Sequence, residues 1–505
     1  MSMNESKMLK LQNGSDVRGI ATEGVAGESV NLTPDAANLI AQAFVLWLSN
    51  KLKKPAEQIA VGVGCDSRIS GPELKEAILK GVLASGSRVT DCGLATTPGM
   101  FMSIVFPESH FDGSIMITAS HLPYNRNGMK FFDADGGLEH DDITDILTAA
   151  ADLKVQTSDL SAVPSFDLLS VYAGHLADTI RKAVQADDYE HPLSGLKIVV
   201  DAGNGAGGFF VDKILKPLGA DTSGSQFLNP DGMFPNHIPN PENKAAMEAV
   251  RSATVNHHAD LGLIFDTDVD RMSAVLPDGA EVNRDAIIAM VAAILAPDYP
   301  GGTIVTDSVT SHRLTYFLEE VLHMKHHCFK RGYKNVINEC KRLNEEGTVS
   351  PLAMETSGHG ALKENYYLDD GAFLAVKLLI AVARSAREGK KIASLIEKLP
   401  PLYEDREYRF KIKADDFKTY GQDVLRVFEE RAKAQGYQLP KSYEGVRISF
   451  DNDEIKGWVL LRLSLHDPVM PLNIEGSREG DCDRLVKVTR KLLDGFELLD
   501  MTVLD

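Results

Sequence analysis

Leu261-Gly262-Leu263-Ile264-Phe265 runs without a break into Asp266-Thr267-Asp268-Val269-Asp270-Arg271. The first half is apolar at every position, not alternating. It predicts a strand covered on both faces, with the polar segment as a loop at its carboxyl end, where open sheets place ligands. The pattern occurs twice more. Gly113-Ser114-Ile115-Met116-Ile117 leads into Thr118-Ala119-Ser120-His121, and Pro351-Leu352-Ala353-Met354 leads into Glu355-Thr356-Ser357-Gly358-His359. About 50 to 65 residues upstream of each lies an opening strand: Val61 to Asp66, Ile198 to Asp201, and Ile304 to Asp307. Helical stretches fill the intervals, as after Gly71-Pro72-Glu73. This alternation predicts three related α/β units with mixed, mostly parallel sheets, each offering one polar loop.

From about Tyr403 the pattern shortens and alternates, as in Tyr408-Arg409-Phe410-Lys411-Ile412, which predicts half-buried antiparallel strands. A helix after Arg478 would cover them, making a smaller C-terminal α+β domain. The expected domains are 1–175, 176–283, 284–402 and 403–505. Thr33 as N-cap, Pro34 in the first turn and Asp35 at the positive dipole end predict a helix to about Lys54, with Phe44, Leu46, Trp47 and Leu48 in the core.

The balance of 53 basic and 72 acidic residues gives a net charge of −19, which argues against a general affinity for nucleic acid or anionic lipid. An anionic substrate remains compatible with it, because a few basic residues can line one cleft. Five scattered cysteines without C-x-x-C spacing argue against a disulfide framework or a cysteine zinc site. No apolar run approaches the roughly 20 residues of a membrane span. The expectation is a soluble cytoplasmic protein, with organelle import left open.

Three carboxylates in five residues repel one another unless water separates them or a cation sits among them. Their all-oxygen chemistry favours Mg²⁺ over zinc or copper. An EF-hand would need Gly where Arg271 stands and Glu where Pro277 stands. An aspartate-nucleophile phosphatase would use Asp266, but its fifth loop position is here a third carboxylate, Asp270. Ser120 has no G-x-S-x-G elbow, and the adjacent His121 cannot easily turn back as its base. A hydroxyl on a small-residue turn would still be presented at the top of a sheet, and Lys130, ten residues on, could return as proton carrier or phosphate contact. Gly203 to Gly208 holds a G-x-G-x-x-G without the ribose acid that should follow, and reads as a tight strand-to-helix turn. His323, His326 and His327 read as a solvated helix face. Glu355, Ser357 and His359 suit the hydrogen-bonding of vicinal hydroxyls, or an ordinary capped turn.

Taken together and in order, these loops resemble the α-D-phosphohexomutases, the superfamily of phosphoglucomutase and phosphomannomutase. Asp16-Val17-Arg18-Gly19 resembles D-x-R-G, and Asp66-Ser67-Arg68-Ile69-Ser70 resembles D-x-R-x-S. Thr118 to Lys130 resembles T-A-S-H-N-P followed by N-G-x-K. Asp231 to His237 resembles a further shared stretch, Asp266 to Arg271 the metal loop D-G-D-G-D-R, and Glu355 to His359 the sugar-selecting E-x-S-G-H. Leu122 replaces the family's Asn, Thr267 and Val269 replace glycine-like positions, and Arg126 stands where an aromatic is common. The fourth-domain loop R-P-S-N-T-E-P reads Arg462-Leu463-Ser464-Leu465-His466-Asp467-Pro468, and Gly332-Tyr333-Lys334 loosely matches G-F-K.

The resemblance implies four domains around one cleft and interconversion of hexose 1-phosphate and 6-phosphate, of glucose or mannose. It implies a phosphoserine at Ser120, with Mg²⁺ on Ser120, Asp266, Asp268 and Asp270, and a hexose 1,6-bisphosphate intermediate. Lys130 would be the general acid/base, and Arg18, His121 and Arg271 would attend the transferring phosphate. Glu355, Ser357, His359 and Lys334 would hold the sugar, and Arg462, Ser464 and His466 the other phosphate. The expected partners are small sugar phosphates, for a monomer or weak homodimer. A catalytically weak or inactive sugar-phosphate binder on the same fold is the first alternative, and an aspartate-nucleophile phosphatase the second.

Overall fold

The structure, a computed structural model, describes residues 3–464 and 467–504. Leu465 and His466, on which the expectation for the fourth-domain loop partly rests, lie outside the described residues. The chain forms two compact units, Met1–Asn283 with Ser357–Ser394, and Arg284–Thr356 with Leu395–Asp505.

In the first unit the N-terminal sheet runs, edge to edge, Gln12–Asn13, Asp16–Ile20, Arg126–Asp133, Gly113–Ile117, Ala60–Cys65, Arg88–Leu94. Ala60–Cys65 is parallel to both of its neighbours, and the strand Arg126–Asp133 returns antiparallel beside Gly113–Ile117. Helices cover it, and Phe44, Val61, Val63, Ile115, Ile117, Met129 and Phe131 form its core. Each such side chain contributes about 1.5–3 kcal/mol by leaving water. The helix Pro34–Leu52 begins as its sequence predicts: Thr33 Oγ1 accepts from the Ala36 amide at 3.2 Å. Its core face is narrower than expected, for Leu46 is 44% exposed while Phe44 and Leu48 are fully buried. The run Phe44 to Leu48 is apolar at all five positions, and five consecutive residues cannot all face one side of a helix with 3.6 residues per turn.

The second sheet has the order Glu281–Val282, Met272–Val275, Leu261–Phe265, Ile198–Asp201. Ile198–Asp201 and Leu261–Phe265 are parallel, and Met272–Val275 folds back antiparallel on Leu261–Phe265. The hairpin of Gly360–Leu362 with Leu368–Asp369 and the long helix Gly371–Arg387 complete this unit.

In the second unit Thr303–Thr306 has parallel neighbours in Lys325–Cys328 and Leu352–Met354. His326 and His327 therefore lie on a strand, not on the helix face expected of them. His326 is hydrogen-bonded to Thr306 Oγ1 at 2.7 Å and Thr315 Oγ1 at 2.8 Å. The C-terminal sheet is antiparallel throughout, in the order Val446–Asp451, Lys456–Leu461, Val469–Gly476, Glu404–Ile412, Leu499–Asp500. The helices Phe417–Ala434 and Asp481–Leu492 pack Val424, Phe428 and Leu485 against Phe410, Ile448, Val459 and Ile474. The architecture is three α/β domains with mixed sheets and a C-terminal antiparallel α+β domain. Among the described residues no helix is long and apolar enough to cross a membrane.

Candidate active site

The serine loop leaves a strand whose five residues, Gly113–Ile117, are all buried. Antiparallel pairing sets Lys130 opposite Met116, so the ten-residue excursion from Ser120 brings the lysine back beside the strand that delivers the serine. Ser120 itself has φ 46°, in the left-handed region that non-glycine residues rarely adopt. Thr118 Oγ1 accepts from its amide at 2.9 Å. In that pose Ser120 Oγ donates to Asp266 Oδ2 at 2.9 Å and accepts from Arg271 Nη2 at 2.8 Å, and His121 Nδ1 lies 3.4 Å away.

The acidic loop is the turn of the hairpin that joins Leu261–Phe265 to Met272–Val275, with Phe265 opposite Met272. Asp266, Asp268 and Asp270 are all buried, which requires cations nearby. Arg271 Nε donates to Asp266 Oδ2 at 3.2 Å, and Lys130 Nζ lies against Asp270 Oδ2 and 3.3 Å from Asp268 Oδ2. Thr97 Oγ1 donates to Asp268 Oδ2 at 2.5 Å. Val269 turns the loop with φ 66°, and its carbonyl accepts from the Gly371 amide at 3.0 Å. A Cβ at position 371 would stand 2.7 Å from the Arg271 carbonyl, so only glycine lets that helix approach so closely.

The loop is equipped for a hard divalent cation. Each of the three carboxylates offers an oxygen, and these oxygens lie within 4.8 Å of one another. Asp268 Oδ1 and Asp270 Oδ1 are buried without any hydrogen-bond donor, a costly condition that a cation would relieve. The electrostatics divide accordingly. Burial, with the charges of Asp270 and Asp268, pushes the Asp266 carboxyl well above its ordinary range. Burial is the largest single influence on Asp268 and Asp270 and opposes their ionisation too, but the cations and donors around them, the Lys130 ammonium foremost, together outweigh it and hold both below the usual carboxylate range. Asp268 and Asp270 in turn outweigh the burial of Lys130 and raise it well above its ordinary value. His121 is pushed down to about 3 by burial and the Arg271 charge. It is therefore a neutral imidazole, whose Nδ1 accepts from Arg271 Nη2.

Other expected residues join this cluster. Arg18, on the strand Asp16–Ile20, donates to the Thr118 carbonyl at 2.7 Å and to Asp16 Oδ2 at 2.8 Å. His359 Nε2 lies 3.6 Å from Asp270 Oδ1, and its Nδ1 is 3.0 Å from Ser357 Oγ. The remaining expected residues belong to the second unit. Glu355 is buried and accepts the Gly332 amide at 2.6 Å. Lys334 stands in the first turn of the helix Tyr333–Glu345. Arg462 and Ser464 line a cavity of about 280 Å³ together with Lys418, Gln422 and Glu444.

Two residues at the first cluster escaped the sequence reading. Thr97 carries no pattern that would single it out from any helix-start threonine. Arg68 stands in a recognisable motif, but nothing in the sequence says that its guanidinium reaches the serine loop. The glycine loop Gly203 to Gly208 is the tight turn expected of it, with Gly203 and Asn204 left-handed. It packs on the acidic loop, where a Cβ at Gly205 would come within 2.6 Å of the Thr267 carbonyl.

Comparison with known proteins identifies the family. The family described as phosphoglucomutase/phosphomannomutase, alpha/beta/alpha domain I, matches residues 9–156, its domain II matches 172–279 and its domain III matches 283–403. A phosphoglucomutase/phosphomannomutase of Thermococcus kodakarensis is 31% identical over 501 residues, 96% of this chain and 99% of that protein. A phosphomannomutase/phosphoglucomutase of Pseudomonas putida is 30% identical over 440 residues, 86% and 87% of the two chains. The crystal structure of a Burkholderia thailandensis phosphoglucomutase/phosphomannomutase family protein superposes with a TM-score of 0.77 at 26% identity, over 98% of each chain.

Proposed function

Because this chain belongs to the phosphoglucomutase/phosphomannomutase family, we propose that it is a hexose-phosphate mutase, acting on glucose or mannose phosphates, with Ser120 as the phosphate carrier. The observation that carries the reading is Ser120 Oγ, poised between Asp266 and Arg271 beside three buried carboxylates. Phosphoryl transfer asks mainly for positioning and charge neutralisation. A hydroxyl of hexose 1-phosphate attacks the phosphorus of phosphoserine, and the P–Oγ bond breaks. The bisphosphate so formed then returns its other phosphate to Ser120, releasing hexose 6-phosphate.

A phosphoserine adds about −1.5 to −2 charge at neutral pH. Arg271, already 2.8 Å from Oγ, and Arg18, bonded to the loop at Thr118, are placed to offset that charge. Mg²⁺ held by Asp266, Asp268, Asp270 and the phosphoserine would neutralise charge developing on the transferring group. Lys130, held protonated by Asp268 and Asp270, is the general acid/base: it gives its proton to the oxygen that leaves phosphorus, Ser120 Oγ in the first transfer and the substrate oxygen in the second, and recovers one from the attacking hydroxyl. Neutral His121 orients Arg271 and the serine. Glu355, Ser357, His359 and Lys334 hold the sugar, and Arg462, Ser464 and His466 hold the phosphate that is not being transferred.

The aspartate-nucleophile alternative is disfavoured because Asp266 Oδ2 already accepts from Ser120 and Arg271, leaving it poorly disposed to attack. The test is phosphorus NMR of the protein with glucose 1-phosphate, Mg²⁺ and a trace of glucose 1,6-bisphosphate. A 6-phosphate resonance growing without free phosphate is expected. Free phosphate instead would point to a phosphatase, and no turnover with glucose, mannose or glucosamine phosphates would leave a sugar-phosphate binder.

A further inference from the structure

Arg68 is 1% exposed, among the largest fully buried side chains of the molecule, and makes no contact with the acidic loop's carboxylates. Its guanidinium is spent on the backbone of the serine loop. Nη1 donates to the carbonyls of Pro123 at 2.8 Å and Arg126 at 2.9 Å. Nη2 donates to the carbonyl of Ser120 itself and to that of Leu122 at 2.6 Å. Nε lies 3.3 Å from Asp66 Oδ2, an ion pair without hydrogen-bond alignment, and Asp66 Oδ1 accepts the Arg68 amide at 2.9 Å. The Phe234 ring lies 5.2 Å from the guanidinium carbon. Gly232 brings that segment against the backbone of Ser67 to Ile69, where a Cβ would stand 2.5 Å from the Ser67 carbonyl.

Four carbonyls converging on one buried point repel one another and would be left without donors unless a cation fills the point. The serine loop takes this course because Ser120 turns left-handed, and that turn is what directs Oγ toward Asp266 and Arg271. A planar fork with donors on both nitrogens can serve four acceptors in fixed directions, whereas a lysine ammonium has three donors on one atom.

We propose that Arg68 is a positioning residue for the phosphate-carrying serine: by saturating the carbonyls of Ser120, Leu122, Pro123 and Arg126 it holds Ser120 in the left-handed turn that aims Oγ at the transferring phosphate. Phe234 and Gly232 close the site over it. The inference rests on Ser120 being the phosphate carrier.

R68K, F234L and S120A variants of the full chain test it. The readouts are steady-state mutase kinetics, the rate at which glucose 1,6-bisphosphate loads Ser120 (followed by intact mass) and hydrogen exchange of residues 118–126. R68K is expected to lower kcat and the loading rate together by about 100-fold, with KM for glucose 1-phosphate within about threefold, because a small displacement of a reacting group costs rate and not binding. Exchange should quicken in 118–126 alone. F234L keeps the fork and should move the same readouts by about three- to tenfold. If R68K does not fold, F234L decides. A folded R68K with kcat near that of the parent overturns the proposal, as does a loss carried by KM, or an F234L with unchanged kcat and exchange. An active S120A would overturn the serine reading itself. An inactive S120A beside a fully active R68K would sink only the role of Arg68.

Discussion

Ser120 and Val269 each turn a loop that leaves a fully buried strand, and each does so as a non-glycine residue in the left-handed region, at φ 46° and 66°. The means of support differ. From Thr118 to Asn125 the serine loop has no ionised side chain, and with Arg126 it points four carbonyls at a single buried cation, Arg68. The acidic loop carries three buried carboxyl groups that no one side chain can satisfy. Its support is divided among Lys130, Arg271, the Thr97 hydroxyl and the Gly371 amide, and two carboxylate oxygens still lack a donor. A loop that presents one reactive atom can be closed off completely. A loop proposed to receive a cation has to keep acceptors in reserve.

The contrast can be broken at several points, and the largest effect is expected at the atom the two loops share. Ser120→Ala should reduce mutase turnover by about 10⁴-fold or more while leaving Mg²⁺ affinity within about tenfold, because the three carboxylates remain. Isothermal titration with Mg²⁺ beside the kinetic assay checks both halves. Asp268→Asn keeps the shape of the acidic loop but removes one charge, and should cost about 10²–10³ in kcat, the usual loss when one electrostatic partner of phosphoryl transfer goes. It should also raise the Mg²⁺ requirement, which a metal titration of the rate would show.

The supports of the acidic loop come next. Asp370 caps the helix that meets Val269, accepting from the Tyr172 hydroxyl at 2.5 Å and the Phe373 amide at 2.8 Å. Burial pushes its carboxyl up to about 6 from 3.8. Because the folded value lies above the unfolded one, the folded chain holds its proton more tightly between pH 4 and 6. The stability this confers is fully present below about pH 4 and is lost as pH rises through 6, a span of about 3 kcal/mol. Asp370→Asn should remove that slope, so chemical denaturation from pH 4 to 7 should show the two proteins diverging as pH rises. Parallel curves would refute the assignment. Thr97→Val keeps the volume and deletes the donor to Asp268, for an expected loss of about 1–3 kcal/mol and a weaker effect on kcat than Asp268→Asn.

The smallest change is expected for Val269→Gly. Relief of about 1–2 kcal/mol of left-handed strain is set against a lost buried side chain of similar worth. Thermal melting should find a net shift within about 1 kcal/mol. A loss above 3 kcal/mol would mean that packing, not backbone conformation, governs this position.

Much of this was legible in the sequence because it is local. An apolar run long enough for one strand and short of a helix announces Leu261–Phe265 and Gly113–Ile117, and the alternation of Glu404–Ile412 announces a sheet with one wet face. Asp266, Asp268 and Asp270 mark themselves by mutual repulsion, and Ser120 with Lys130 by their place after a strand. The departures are local too: hydrophobicity alone points Leu46 to a face the helix does not turn inward, and His326 lies on an edge strand where its spacing predicts a helix.

Sequence by itself determined the order of the domains, the strands that end in chemistry and the residue types at those ends, since each follows from periodicity and composition within a dozen residues. Tertiary structure alone decided which distant groups would share a charge or an acceptor. Lys130 meets Asp270 across 140 positions, Thr97 meets Asp268 across 171, and Arg68 finds four carbonyls more than 50 positions away. Spacing along the chain carries no record of such pairings. They exist because burial forbids unpaired charges and unbonded carbonyls, and the folded chain must satisfy both wherever its strands happen to end.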